Sequence, residues 1–188
     1  MRREFDLDLQ LVPFELRPDA PPEGLSAAGN DLGHSERVEQ RLHELAERAG
    51  HPLVLTDLVP NTHLAIALGE FARDLGPEVH RAAHAAIFHA YYGEGRDIGD
   101  REVLLDVARA VGLDAGEVGS AFDDGRYDER IHEYAHVAMH LGIDSTPSAL
   151  ICNELLIGSR PYGVLREAVQ GCLITPETIE HEHAARGA

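Results

Sequence analysis

Cysteine is scarce in this chain: 188 residues hold only Cys152 and Cys172, and no Cys-x-x-Cys occurs. Their spacing excludes a compact pair of metal-binding thiols. Buried free thiols in a reducing compartment are the expected state, with a disulfide between them as the lesser alternative. Basic residues are also few. Against 33 Asp and Glu stand 16 Lys and Arg, for a formal net charge of −17. Nucleic acid and anionic membrane surfaces need basic patches, so neither is expected as a partner. A small molecule or another protein fits better. There is no run of 18 apolar residues, and Met1-Arg2-Arg3 is followed by an alternating segment, not by the apolar stretch of a secretory signal. A cytoplasmic location is therefore expected. No cofactor-binding motif is recognised.

A hydrophobic content of 44% suffices for a core, and the length suits one domain, with or without a large insertion. Residues 4–12 alternate, with Phe5, Leu7, Leu9 and Leu11 set against Glu4, Asp6, Asp8 and Gln10. That period predicts a strand with one wet face, at a sheet edge. Pro13, Pro18, Pro21 and Pro22 then break regular structure, and residues 26–33 read as an exposed loop. From 35 to 141 the pattern is helical. Val38, Leu42, Leu45 and Ala49 mark the first helix, and Asn61 is the expected N-cap of the second, which Gly76-Pro77 ends. A third runs over 77–92. Asp100 caps a fourth that stops at Gly112, Asp114 and Glu117 make a capping-box pair for a fifth, and a sixth covers 126–141. Residues 148–152 and 155–157 then predict two short strands turning at Asn153-Glu154, before a closing helix to about Cys172. The tail from 175 is polar.

Several motifs in this order resemble the FrnE-like branch of the DsbA family, which includes the 2-hydroxychromene-2-carboxylate isomerases. They begin with Pro13-Phe14-Glu15-Leu16-Arg17-Pro18-Asp19, continue through Pro21-Pro22-Glu23-Gly24, and then Asn61-Thr62 with Ala65. Ala90-Tyr91-Tyr92 with Glu94-Gly95-Arg96-Asp97-Ile98, and Val111-Gly112-Leu113-Asp114, come next. Gly142-Ile143 with Pro147, and Ile157-Gly158 with Pro161, complete the series. The resemblance implies an α/β, thioredoxin-like fold with a large all-helical insertion. Its domains would be a thioredoxin-like part at 1–34 and 142–174, an inserted helical domain at 35–141 and a tail at 175–188.

The resemblance further implies a cis bond at Thr146-Pro147, the kind of X-Pro bond that marks a required turn. The backbone before that proline would be left to pair with an extended substrate segment. Thr146 stands where the family more often has Val. Thr146 and Pro147 are thus the candidate substrate-binding residues. Asn61 joins them, because a polar residue near the start of the inserted domain helps bind substrate in the isomerase-like branch. As an N-cap, Asn61 already has a structural role. Expected partners are a protein thiol or disulfide, a peptide, or glutathione; a homodimer is compatible.

The family's catalytic strand, Cys-x-x-Cys and following helix precede the segment that residues 4–12 match. Neither cysteine here matches that position, and exchange requires an activated thiolate and a resolving thiol. Leu53-Val54-Leu55 is a poor substitute for the central apolar strand. Three explanations stay open: a longer native chain, a degenerate relative that binds without turnover, or strand exchange with a partner. The expected activity is thiol–disulfide exchange for the family, and inactivity or redox-dead peptide binding for this chain.

A competing motif is His132-Glu133-Tyr134-Ala135-His136, the H-E-x-x-H of zinc proteases, with His140 one turn further. With 12 His and 19 Glu in the chain, roughly 0.08 such motifs arise by chance. His140 also falls short of the metzincin third-ligand spacing. A surface histidine stripe is preferred to a metal site at His132, His136 and His140. The pair His80 and His84 has no third ligand.

Overall fold

The computed structural model describes residues 4–27 and 36–173. The tail from 175 and most of the 26–33 loop lie outside them. The chain divides into two compact units, 1–16 with 136–188, and 17–135.

The 17–135 unit is built around helices. A two-residue ladder joins β1 (Leu25–Ser26) to β2 (Leu58–Val59), antiparallel. Helix α1 (Glu36–Ala49) has the expected amphipathic spacing but buries no side chain fully. Helices α2 (His63–Asp74) and α3 (Pro77–Phe88) pack together, and α4 (Arg101–Ala110) and α5 (Ala115–Asp123) close over them. Leu68, Leu104 and Val118 are completely buried in their shared core. Local chemistry sets these boundaries. Pro77 occupies the first turn of α3, where its missing N–H costs no hydrogen bond. Asp100 accepts from Glu102 N at 2.7 Å, and Asp114 accepts from Gly116 N and Glu117 N.

The expected third helix is corrected at its end. After Phe88 the backbone widens into a π-helical turn over His89–Gly93, with Glu94 N bonded to His89 O. A Cβ at Gly93 would come within 2.6 Å of the His89 ring, so a side chain there would displace that exposed imidazole.

Helix α6 (Asp128–Leu141) ends at Gly142, whose φ of 72° is open to glycine at little cost. There Ile143 N bonds back to Ala138 O, a Schellman closure. The second unit then forms a hairpin of β3 (Ser148–Ile151) and β4 (Glu154–Ile157), followed by α7 (Tyr162–Leu173), which packs on β3. The turn is Cys152-Asn153, one residue earlier than expected, with Cys152 at φ 53°.

Residues 4–12 do not form the expected strand: residues 6–15 carry no regular secondary structure. The alternation survives in part as exposure, since Phe5, Leu7 and Leu11 are half-buried while Glu4, Asp6, Asp8 and Gln10 are exposed; Leu9 breaks it. Alternation reports two faces, but a strand also needs a neighbour for its N–H and C=O groups. Among the described residues no strand pairs with this segment. Leu53-Val54-Leu55 is likewise irregular, and the ladder forms just after it, at β2.

Candidate functional site

The loop from α6 to β3 places the proposed substrate-binding pair. Ser148 Oγ donates to Ser145 O at 2.7 Å, and Ser145 Oγ donates to Asp144 Oδ1 at 3.1 Å. These short bonds brace the approach to the strand. The Thr146–Pro147 peptide bond is cis, and both residues are exposed where β3 begins.

The edge of β3 comes directly after. In a two-residue hairpin the closing pair, here Ile151 and Glu154, exchanges both backbone hydrogen bonds. Alternate pairs do not. Ser148 and Leu150 therefore turn their N–H and C=O groups away from β4. Among the described residues no strand pairs with that outer edge, and the Leu150 side chain is 55% exposed. A row of outward backbone groups beside an exposed apolar side chain is suited to receiving an extended chain.

Asn61 lies in the other unit and is held by its own structure. Its Oδ1 accepts from His63 N at 3.0 Å, and its Nδ2 donates to Ala20 O at 2.7 Å. The backbone N-cap is Thr62, one residue later than expected, with no side-chain capping bond of its own. Asn61 does the capping from outside and also ties the proline-rich segment to α2.

The histidines of the H-E-x-x-H motif sit on α6 with His132, His136 and His140 all exposed. His140 Nδ1 donates to the His136 carbonyl at 2.7 Å. Among the described residues no group of three or more His, Cys, Asp or Glu is placed to hold a metal. His80 is buried and His84 half-buried, and desolvation holds both imidazoles below the usual histidine range, with Arg73 adding to it.

Two features depart from the sequence expectation. Cys152 and Cys172 form a disulfide, the lesser alternative, in place of the expected buried thiols. Cys152 is exposed on the hairpin turn and Cys172 half-buried near the end of α7, with Cα atoms 6.2 Å apart. The fold, not the spacing, brings them together. The second feature is Glu70, fully buried on α2. It accepts from Arg73 Nε, Arg130 Nη1 and Tyr134 Oη, while Arg130 also binds Asp74. Its signal in the sequence is one carboxylate amid the apolar residues Ala67, Leu68, Phe71 and Ala72. The Arg130 hydrogen bond holds the Asp74 carboxyl below the usual range.

The DSBA-like thioredoxin domain family matches residues 1–170. The chain belongs to that family. This DsbA-like protein is 26% identical over 167 residues to the uncharacterized protein YwbO of Bacillus subtilis, covering 87% of this chain and 82% of the other. Its structure is similar to that of a probable DsbA oxidoreductase from Streptomyces coelicolor, with a TM-score of 0.77, 23% identity, and coverage of 87% of this chain and 75% of that one. It is also similar to a 2-hydroxychromene-2-carboxylate isomerase, with a TM-score of 0.71, 19% identity, and coverage of 91% and 83%. At these identities the structural matches speak for the fold. The DsbA-like protein thus has a thioredoxin-like fold that is largely helical, with small sheets, consistent with thiol–disulfide oxidoreductase or isomerase chemistry. No helix among its described residues is long and apolar enough to cross a membrane.

Proposed function

We propose that this DsbA-like chain holds an extended, cysteine-bearing peptide along the outer edge of β3 and performs no Cys-x-x-Cys turnover itself. The observation that carries the reading is the outer edge of β3, which no strand among the described residues covers and which is entered through exposed Thr146 and Pro147. Strand addition supplies affinity through main-chain hydrogen bonds, and Leu150 offers an apolar contact beside them. Family membership points to a peptide thiol or disulfide as the ligand class, with glutathione as its smallest form. The second half of the reading rests on the sequence, which contains no Cys-x-x-Cys. Without a vicinal pair, a mixed disulfide at that site has no resolving partner.

Two measurements test the two halves. Fluorescence anisotropy with a labelled extended peptide carrying one cysteine should show saturable binding, and its absence would remove the binding role. Insulin reduction in dithiothreitol should proceed at the uncatalysed rate; turnover above that rate that persists in Cys152→Ser would show an active exchange centre apart from the Cys152–Cys172 disulfide.

A further inference from the structure

The disulfide joins the hairpin turn to the end of α7, closing a loop over a sequence separation of 20. It does so in the unit with the smaller core. Among the described residues of that unit, the buried hydrophobic side chains are Ala138, Leu156, Ala168 and Val169. The main hydrophobic cluster, with Leu68, Leu104 and Val118, belongs entirely to the other unit. Leu156, Ala168 and Val169 lie on β4 and α7, which the disulfide holds together. A covalent tie matters most where burial contributes least.

The two sulfurs also differ in access. Cys152 is exposed on a two-residue turn, whereas Cys172 is half-buried on the helix. An incoming thiolate approaches the more exposed residue, Cys152, more readily, and access is one of the factors that select which sulfur is attacked. Once displaced, the Cys172 sulfur takes up a proton from water.

We propose that Cys152–Cys172 is a thiol-exchange site, modified at Cys152 by a low-molecular-weight thiol of the glutathione class, and that its opening releases α7 from the hairpin. The first glutathione thiolate bonds to Cys152 sulfur, breaking the Cys152–Cys172 bond and sending its electron pair to Cys172. A second glutathione attacks the mixed disulfide, leaving two protein thiols and one glutathione disulfide. The protein disulfide is reduced by two electrons, and two glutathione molecules are oxidised. Glutathione disulfide reverses the sequence. The site needs no Cys-x-x-Cys and is separate from the peptide edge proposed above.

The test is hydrogen exchange and peptide mapping of the full chain in glutathione buffers. In excess reduced glutathione, residues 148–173 should lose amide protection by tenfold or more while 63–131 keep theirs. Unchanged protection at 148–173 in protein whose thiols are verified as free would overturn the latch. Acid-quenched samples at limiting glutathione should carry one glutathione on Cys152. Predominant modification of Cys172 would overturn the assignment of the attacked sulfur. Cys172→Ser treated with glutathione disulfide should retain the adduct at Cys152, and an unmodified Cys152 in that variant would overturn the site. The wild-type measurements stand without the variant, so a folding defect in Cys172→Ser leaves the test intact.

Discussion

Arg130 Nη1 lies 3.2 Å from Oε2 of Glu70, sixty residues earlier in the chain, and joins the first turns of α6 to the buried face of α2. The Glu70 side chain is 1% exposed. A carboxylate so placed persists because Arg73, Arg130 and Tyr134 all donate to it. Glu70→Ala leaves two guanidinium groups without their shared acceptor and opens a hole in the helix face. It should destabilise the protein by about 3 kcal/mol, the range for breaking a buried ion pair. Urea unfolding followed by circular dichroism measures this, and a loss below about 1 kcal/mol would show that the network contributes little.

Burial of His80 and His84 makes stability depend on pH. Both imidazoles are held below their ordinary value of 6.5, first by desolvation and then by Arg73, with Glu70 partly opposing the shift at His80. In the unfolded chain they protonate near 6.5. Below that pH the unfolded state binds more protons than the folded one, so stability falls as pH falls. Their contribution is complete above 6.5 and is lost toward the folded-state values, with a slope of at most about 1.4 kcal/mol per pH unit for each histidine. Asp74 acts only in more acid solution, because its carboxyl is held below 3.8. Melting temperature should drop between pH 7.5 and 5.5. His80→Gln, which does not titrate, should flatten that drop.

Much of the helical unit is legible in the sequence because its boundaries are made by local chemistry. Asp100, Asp114 and Gly76-Pro77 act through bonds to neighbouring residues, so their identities alone mark where helices begin and end. Residues 4–12 mislead because a correct two-faced pattern contains no information about whether a strand lies alongside. The disulfide is hidden for a similar reason. Two cysteines separated by a strand and a helix meet only if the helix returns across the hairpin. The cis bond at Thr146-Pro147 is anticipated by the family motifs, whereas Glu70 looks like any surface carboxylate until α2 is buried around it. The chain has no lysine, so each such pair falls to arginine or histidine, and the planar Arg fork suits the shared geometry at Glu70.

Asn61 separates two roles that one substitution would confuse. Asn61→Asp retains an oxygen to accept from His63 N but has no amide to donate to Ala20 O. Asn61→Ala loses both bonds. The alanine variant should cost about 1–2 kcal/mol, as lost caps and buried hydrogen bonds do, and the aspartate variant about half that. Thermal melts compare them. Equal losses would mean that the amide bond to Ala20 carries the whole effect.

The histidine stripe of α6 should behave as surface. His132, His136 and His140 are exposed, and no acidic group completes a metal site with them among the described residues. Paired His132→Ala and His136→Ala substitutions should change stability by no more than about 0.5 kcal/mol, as exposed sites do. Zinc titration by calorimetry should show no tight stoichiometric site. One zinc per chain surviving chelator treatment would instead restore the metal reading.

The outer edge of β3 offers a test built on backbone direction, in which the Leu150 side chain is lost together with its N–H. Leu150 N–H points away from β4, whereas Ala149, paired with Leu156, exchanges its hydrogen bonds with that strand. Proline at each position therefore removes a different bond. Leu150→Pro deletes one outward donor and leaves the ladder to β4 intact, as prolines on strand edges do. It should weaken binding of the extended peptide at least tenfold, about 1.4 kcal/mol, with little change in melting temperature. Ala149→Pro removes an inward donor and should lower the melting temperature clearly. If both variants bind peptide as the parent does, the ligand does not add to β3, and the apolar side chains around it become the better candidates for the contact.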